Sequence, residues 1–298
     1  MASDLPFVLS VIGSDGIESY AESIAGAVAL IGVAERVNWL AQGRAFDLTF
    51  AGERDAVLKA ARAVSGARKL DVNVVPVAKR RKKLLIADMD STIIGCECLD
   101  ELADIAGLKE QVAPITEAAM RGEIEFEPAL RRRAALLRGL PADTMERVYD
   151  ERVRLNPGAR TLVATMRANG AGTMLVSSGF RYFTRRVAAE CGFDSEQANE
   201  LVERDGLFTG EVAEPILGRD AKLRALEAAV AELGIGFEEV LAVGDGANDL
   251  AMIARAGLGV AWHAKPILAA AASAIIAHGD LTALLYLQGY RDEQIDRS

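Results

Sequence analysis

Cysteine is scarce and badly spaced for structural duty: Cys96, Cys98 and Cys191 are the only three, and no C-x-x-C pair exists among them. Neither a disulfide framework nor a zinc knuckle is encoded, and a reducing compartment suits such a chain. Positive charge is also short. Lys plus Arg number 34 against 43 Asp plus Glu, a formal net charge of −9, and an acidic surface repels phosphate backbones. General nucleic-acid binding is excluded on that ground. The one compact basic run, Lys79-Arg80-Arg81-Lys82-Lys83, reads as a solvated entry to the apolar segment behind it. Long hydrophobic runs are missing too. The longest uncharged stretches fall well short of a membrane span, and Asp4 and Pro6 stand where a secretory leader needs a basic start and an apolar run. The expectation is a cytoplasmic protein with no membrane partner.

What remains is material for a globular core: 51% of the 298 residues are hydrophobic, enough for one large domain or two ordinary ones. Residues 1–78 read as a small α+β unit, with strands at Phe7 to Ile12, Phe46 to Phe50 and Val72 to Val77 and helices at Tyr20 to Ile31 and Glu53 to Val64. This unit carries no acid pair, glycine-rich loop or histidine, so no chemistry is assigned to it. From residue 84 short apolar strands alternate with longer helices, the signature of a parallel sheet. Strands are expected at Leu84 to Ala87, Thr173 to Val176, Val240 to Val243, Leu258 to Ala261 and Ala274 to Ala277, and the alanine-rich Ala269 to Ala274 reads as helix. About 85 residues separate the first two strands, far more than one crossover helix needs, so Leu99 to Arg154 reads as an inserted helical lid.

Ligands of an open parallel sheet bind beyond the carboxyl ends of its strands. The first strand here ends in Asp88-Met89-Asp90-Ser91-Thr92, the second in Ser177-Ser178-Gly179, and the third in Gly244-Asp245-Gly246-Ala247-Asn248-Asp249. An isolated Asp-x-Asp is ordinarily a turn or a helix cap. Asp245 and Asp249, rising from another strand end of the same sheet, turn the pair into a cluster of like charge that a divalent cation would relieve, and oxygen-only donors point to magnesium. Ser177 alone would be a helix cap and Lys222 a solvated helix residue. Beside a metal and a carboxylate, the Ser177 hydroxyl and neighbouring backbone N–H groups become donors to a phosphate oxygen, and Lys222 a fixed cation facing it.

In order and spacing, Asp88-Met89-Asp90-Ser91-Thr92, Val176-Ser177-Ser178-Gly179-Phe180, Lys222 and Gly244-Asp245-Gly246-Ala247-Asn248-Asp249 resemble the four motifs of the haloacid dehalogenase superfamily. Glu97, the Met120 to Leu137 segment and Ala264-Lys265-Pro266-Ile267-Leu268 narrow the resemblance to its phosphoserine phosphatase branch. The implied fold is α/β, a Rossmann-like parallel core at residues 79–298 with a helical cap at about 99–155. Residues 1–78 resemble, more weakly, the ACT-like regulatory unit of longer bacterial members.

The resemblance implies an Mg²⁺-dependent enzyme that hydrolyses O-phospho-L-serine to serine and phosphate, the last step of serine biosynthesis. It makes Asp88 the nucleophile and Asp90 the general acid and base, with Asp88, the Asp90 carbonyl and Asp245 on the metal and Asp249 in support. Ser177, Ser178, Gly179 and Lys222 would hold phosphate; Ser178 stands where the superfamily usually has glycine. Glu97 would take the substrate ammonium and Arg133 its carboxylate, while Met120, Phe126 and Asn248 complete the pocket. Without the resemblance Glu97 reads as a helix-dipole partner, Met120 and Phe126 as core, and Arg133 as surface. Two rivals stay open: a phosphotransferase serving another small alcohol such as homoserine, and a catalytically dormant amino-acid-binding regulator. Whether residues 1–78 bind serine, form a homodimer or only pack against the core is also open.

Overall fold

Strand alternation organises the leading segment. β1 (Phe7–Gly13) turns Leu9 and Val11 to one side and Val8 and Ile12 to the other, and both sides are buried. The chain continues through α1 (Glu18–Ala29), β2 (Val33–Ala34), β3 (Asn38–Ala41), β4 (Ala45–Ala51), α2 (Arg54–Ser65) and β5 (Leu70–Pro76). Antiparallel pairing gives the strand order β2-β4-β1-β5, with β3 also on β4. Leu9, Val11, Phe46 and Leu48 pack with Ile24 and Val57 of the two helices. Val8, Ile12 and Val75 on the opposite face join the cluster that contains Tyr286 and Tyr290. The expected strands and helices of this unit are all present; β2 and β3 were not anticipated, being too short, at two and four residues, to show a period. The computed structural model describes residues 5–120 and 123–297, without the side chains of Met120 and Arg219.

The second sheet begins with β6 (Leu84–Asp88), fully buried along its length. The cap follows as α3 (Cys98–Ile105), α4 (Lys109–Met120), α5 (Phe126–Leu136) and α6 (Thr144–Arg152). After α7 (Ala159–Ala168) come β7 (Gly172–Phe180), α8 (Arg181–Cys191) and β8 (Ser195–Asn199), then a hairpin of β9 (Leu201–Arg204) and β10 (Leu207–Val212). The chain closes through α9 (Arg219–Leu233), β11 (Val240–Gly244), α10 (Leu250–Arg255), β12 (Leu258–Trp262), α11 (Pro266–Ala269), β13 (Ala274–Ile276) and α12 (Ala283–Leu287). The sheet is parallel in the order β13-β12-β11-β6-β7-β8, which sets β6 between β11 and β7 and brings their carboxyl ends together. The hairpin β9–β10 leans on the cap: Gly139 N–H donates to Phe208 O and Phe208 N–H to Leu140 O. No described helix is long and apolar enough to cross a membrane.

Two expectations need correction. Ala269–Ala274 is not a helix: α11 stops at Ala269 and Ala274 opens β13. The Ser273 hydroxyl accepts from Gly259 N–H at 2.9 Å and donates to Gly259 O at 3.0 Å, so pairing to β12 overrides alanine's helical preference. The basic run is not a uniformly solvated entry either. Arg80 reaches both oxygens of Asp47 at 2.6 and 2.9 Å and the carbonyls of Leu287 and Tyr286. Lys82 is 5% exposed and spends its ammonium on the Lys79 and Glu238 carbonyls, and burial lowers its pKa to about 8. Lys79 and Lys83 do lie outside, paired with Glu238 and Glu239.

Beside the apolar contact of Val8, Ile12 and Val75, the seam between the units carries paired polar groups. The Asn73 amide of β5 pairs with Ile275 of β13 as a strand would, donating to its carbonyl at 2.9 Å and accepting from its N–H at 2.8 Å. Asp71 accepts from Ala277 N–H at 2.7 Å, from His278 N–H and from Gly279 N–H at 2.7 Å. Otherwise bare backbone at the β13 edge is thereby satisfied.

Candidate active site

Three adjacent strands deliver the site. Asp88 is the last residue of β6, Ser177 to Gly179 lie at the end of β7, and Asp245 follows β11. Carboxylate oxygens of Asp88, Asp245 and Asp249 lie within 4.8 Å of one another. Asp249 gets there because residue 244 is glycine: a Cβ at Gly244 would sit 2.3 Å from Asp249 Oδ2. That oxygen accepts from Asp245 N–H at 3.2 Å and Gly246 N–H at 3.1 Å, while Oδ1 accepts from Lys222 Nζ at 2.7 Å. Asp249 is thus wholly occupied by the protein and 0% exposed, whereas Asp245 at 9% keeps an open edge.

Lys222, carried in the first turn of α9, is 1% exposed and bridges Asp249 to Asp88 Oδ1 at 2.6 Å. Asp88 Oδ1 also accepts Met89 N–H at 2.8 Å, and among the described residues no hydrogen bond reaches Oδ2. Lys222 inside the cluster and Lys265 at its edge do not balance this many acids. Burial, and after it the charge of Asp249, pushes Asp88 well above the usual carboxylate range, although Lys222 opposes the shift. Asp245 is raised by burial and then by Asp249. Lys222 is raised: desolvation would lower it, but the charges of Asp249 and Asp88 prevail.

Asp90 points toward the end of β7. Its Oδ1 accepts from Cys98 N–H at 2.9 Å and its Oδ2 from the Ser177 hydroxyl at 3.0 Å; Ser177 Oγ in turn accepts from Gly179 N–H at 2.8 Å. Burial raises its carboxyl even so, against the lowering effect of those donors. A Cβ at Gly179 would lie 2.9 Å from Asp90 Oδ2 and 3.1 Å from Ser177 Oγ, so any side chain here would displace that pair. Ser178, by contrast, continues β7 without a left-handed φ and needs no relief.

The cap completes the cleft. Glu97 precedes α3 and its Oε1 accepts from Ser91 Oγ at 2.7 Å. Solvent reaches Glu97, yet the surrounding mass of the cleft and then the charge of Asp90 push its carboxyl up to about 7. Of the three consecutive arginines, Arg131 pairs outward with Glu127 and Glu214, Arg132 is exposed, and only Arg133 is half-buried. Burial lowers the Arg133 pKa, while Asp100 and Glu97, the acids that face it, raise it. Phe126 opens α5 beside the loop before α9, where a Cβ at Gly218 would meet its ring at 3.6 Å. Asn248 is half-buried with Oδ1 directed at Gly246. Met120 ends α4, and its side chain lies outside the described part of the structure.

Asn199 was not anticipated. It is buried at the end of β8; its amide donates to Ser178 O at 2.9 Å and Leu217 O at 3.2 Å and accepts Leu217 N–H at 2.7 Å. One side chain therefore locks the Ser177–Gly179 turn to the segment that leads into Lys222. β8 reads Ser-Glu-Gln-Ala-Asn, with no apolar run to announce a strand.

Comparison with known proteins agrees with this layout. The family of haloacid dehalogenase-like hydrolases matches residues 85–254. A phosphoserine phosphatase from Polaromonas sp. is 47% identical over 210 residues, 69% of this chain and 89% of that protein. The crystal structure of a HAD family hydrolase from Salmonella enterica serovar Typhi superposes with a TM-score of 0.85 at 29% identity, over 96% of this chain and 99% of that one. A probable phosphoserine phosphatase from Vibrio cholerae, in unliganded form, gives 0.80 at 30% identity, over 98% and 88%. Both structural matches extend through the leading unit as well as the core. The chain belongs to the haloacid dehalogenase-like hydrolases.

Proposed function

We propose that the chain hydrolyses O-phospho-L-serine to L-serine and phosphate through a phosphorylated Asp88. The observation that carries the reading is the convergence of Asp88, Asp90, Ser177, Lys222 and Asp245 on one strand-end cleft, in a chain 47% identical to a phosphoserine phosphatase.

A divalent cation fits this donor set. The three carboxylates offer only oxygen, burial raises Asp88 and Asp245, and among the described residues Lys222 is the one buried cation beside them. Asp88, Asp245 and the Asp90 carbonyl would hold Mg²⁺, with Asp249, already spent on Lys222 and two backbone N–H groups, in support. When bound, Mg²⁺ neutralises phosphoryl charge and helps align it for displacement.

The chain's own groups divide the remaining task. Hydrolysis of a phosphate monoester in water is so slow that ~20 kcal/mol of barrier must go, of which one proton transfer supplies only about 10²- to 10⁴-fold. Asp88, whose Oδ2 carries no hydrogen bond, attacks phosphorus in line. Asp90, whose carboxyl burial raises, gives a proton to the departing serine oxygen and afterwards takes one from the attacking water. Lys222 supplies a fixed positive charge to the phosphoryl oxygens, and the Ser177 hydroxyl and Gly179 N–H turn to them from Asp90 and Ser177 Oγ, their partners in this structure. Glu97, held at the cleft mouth, pairs the substrate ammonium, and Arg133 under the cap takes the carboxylate in bidentate fashion. Phe126, at the start of α5, helps to keep water from the cleft.

Residues 1–78, on this reading, are an ACT-like unit that senses serine, joined to the phosphatase at residues 79–298. Phosphate release from a panel of small esters with Mg²⁺ tests the assignment, and phosphoserine is expected to exceed the rest in kcat/KM. Formation of phosphohomoserine in place of free phosphate when homoserine is added would mark a phosphotransferase instead. Added serine in the same assay probes the leading unit.

A further inference from the structure

Ser91 combines two features that ordinarily exclude one another. Its backbone lies in the left-handed region, φ 54° and ψ 7°, where glycine is at ease and a residue with a Cβ is strained. It nevertheless carries a side chain, and the Oγ–H of that side chain is given to Glu97 Oε1 at 2.7 Å. The turn holding it is closed at each end: Ser91 N–H donates to Cys96 O at 3.2 Å, and Cys98 N–H donates to Asp90 Oδ1 at 2.9 Å. Asp90 and Glu97 are therefore fixed by one short loop, and Ser91 is the link to Glu97.

Glu97 lies on an exposed position, where a glutamate otherwise keeps most of its rotamer freedom. Tethering Oε1 leaves Oε2 to meet an incoming cation without first being ordered, a preorganisation gained at the point of recognition. We propose that Ser91 is a positioning residue for substrate selection: it aims Glu97 at the substrate ammonium, and this role is what keeps a serine at a backbone position suited to glycine. The inference rests on the reading of Glu97 as the ammonium partner.

The test is steady-state kinetics of the native protein, Ser91→Gly, Ser91→Ala, Glu97→Gln and the double variant Ser91→Gly/Glu97→Gln. Two substrates are needed: phosphoserine and 3-phospholactate, which keeps phosphate and carboxylate and replaces the ammonium by a hydroxyl. Ser91→Gly is expected to raise KM for phosphoserine roughly tenfold, the scale of one charge-assisted hydrogen bond, with kcat within about twofold and phospholactate unaffected. In the Glu97→Gln background the same change should cost nothing further, because the group it positions is gone. Ser91→Gly should melt at or above the native temperature and Ser91→Ala below Ser91→Gly, which separates recognition from folding. Native-like kinetics for Ser91→Gly, or equal losses on both esters, overturns the proposal while leaving Glu97 its role. Equal treatment of the two esters by Glu97→Gln removes the reading of Glu97 and the proposal with it.

Discussion

The two sheets of this molecule bury carboxylates in opposite ways. In the leading unit Asp71 is met by three backbone N–H groups and Asp47 by both arms of Arg80, so each acid has donors matched to it and serves to fasten one unit to the other. At the carboxyl ends of β6 and β11 the acids gather faster than donors do. Asp88, Asp90 and Asp245 are all raised by burial, and among the described residues a single buried lysine stands between them. Burial raises Asp47 as well, but there the opposing charge is paired in full. A protein tolerates an uncompensated buried carboxylate at a cost in stability, and the place where it does so is where a ligand is meant to complete the balance.

The sharpest way to break this contrast is at Asp88. Asp88→Asn is expected to lower phosphate release from phosphoserine by ~10⁴-fold or more with a native circular dichroism spectrum, since the proposed nucleophile is lost and the fold is not. A residual rate within tenfold of native would place the chemistry elsewhere. Next in size is the seam. Asp71→Ala strands three N–H groups beside β13 and should lower the urea-derived stability by about 3 kcal/mol. An unchanged midpoint would mean that the units are not fastened there.

A smaller effect, of opposite sign, is predicted at Asp245. Its folded-state pKa is raised, so its ionised form weakens the folded state, and that loss is present once pH has risen through the folded value. In metal-free protein at neutral pH Asp245→Asn should therefore stabilise by about 1 kcal/mol, and Mg²⁺ should raise the melting temperature of the native chain but not of the variant. Smallest is Lys82, whose pKa is lowered to about 8 from an ordinary 10.5. The penalty of charging it in place is complete below the folded value and disappears as pH climbs through 10.5. Relative to Lys82→Met, the native chain should gain stability between pH 8 and 10.5 by thermal melting. A flat difference would mean that the ammonium is free to leave its carbonyls.

Much of this was legible in sequence, for definite reasons. β6, β7, β11 and β12 declare themselves as apolar runs because a central parallel strand is covered on both faces. Asp88, Ser177 and Asp245 follow from asking what stands at their ends. β8 escaped notice because an edge strand reading Ser-Glu-Gln-Ala-Asn has no such cover, and β9 and β10 because charged residues interrupt both. Asn199, Arg80 and Lys82 were missed for another reason. Each is a polar side chain buried against backbone or carboxylate groups remote in sequence or supplied by a turn, and neither its burial nor its partners leave a local trace. Ser91 was visible as a letter in a motif, but its left-handed backbone and its hold on Glu97 exist only in three dimensions.

The central claim is that Asp88 is the atom donor to phosphorus, and acid quenching during turnover tests it most directly. Native protein mixed with phosphoserine and Mg²⁺, quenched and mapped by peptide mass, should carry one phosphoryl group on Asp88 and none after Asp88→Asn. Full turnover with no adduct, or with the phosphoryl group on another residue, would contradict the account.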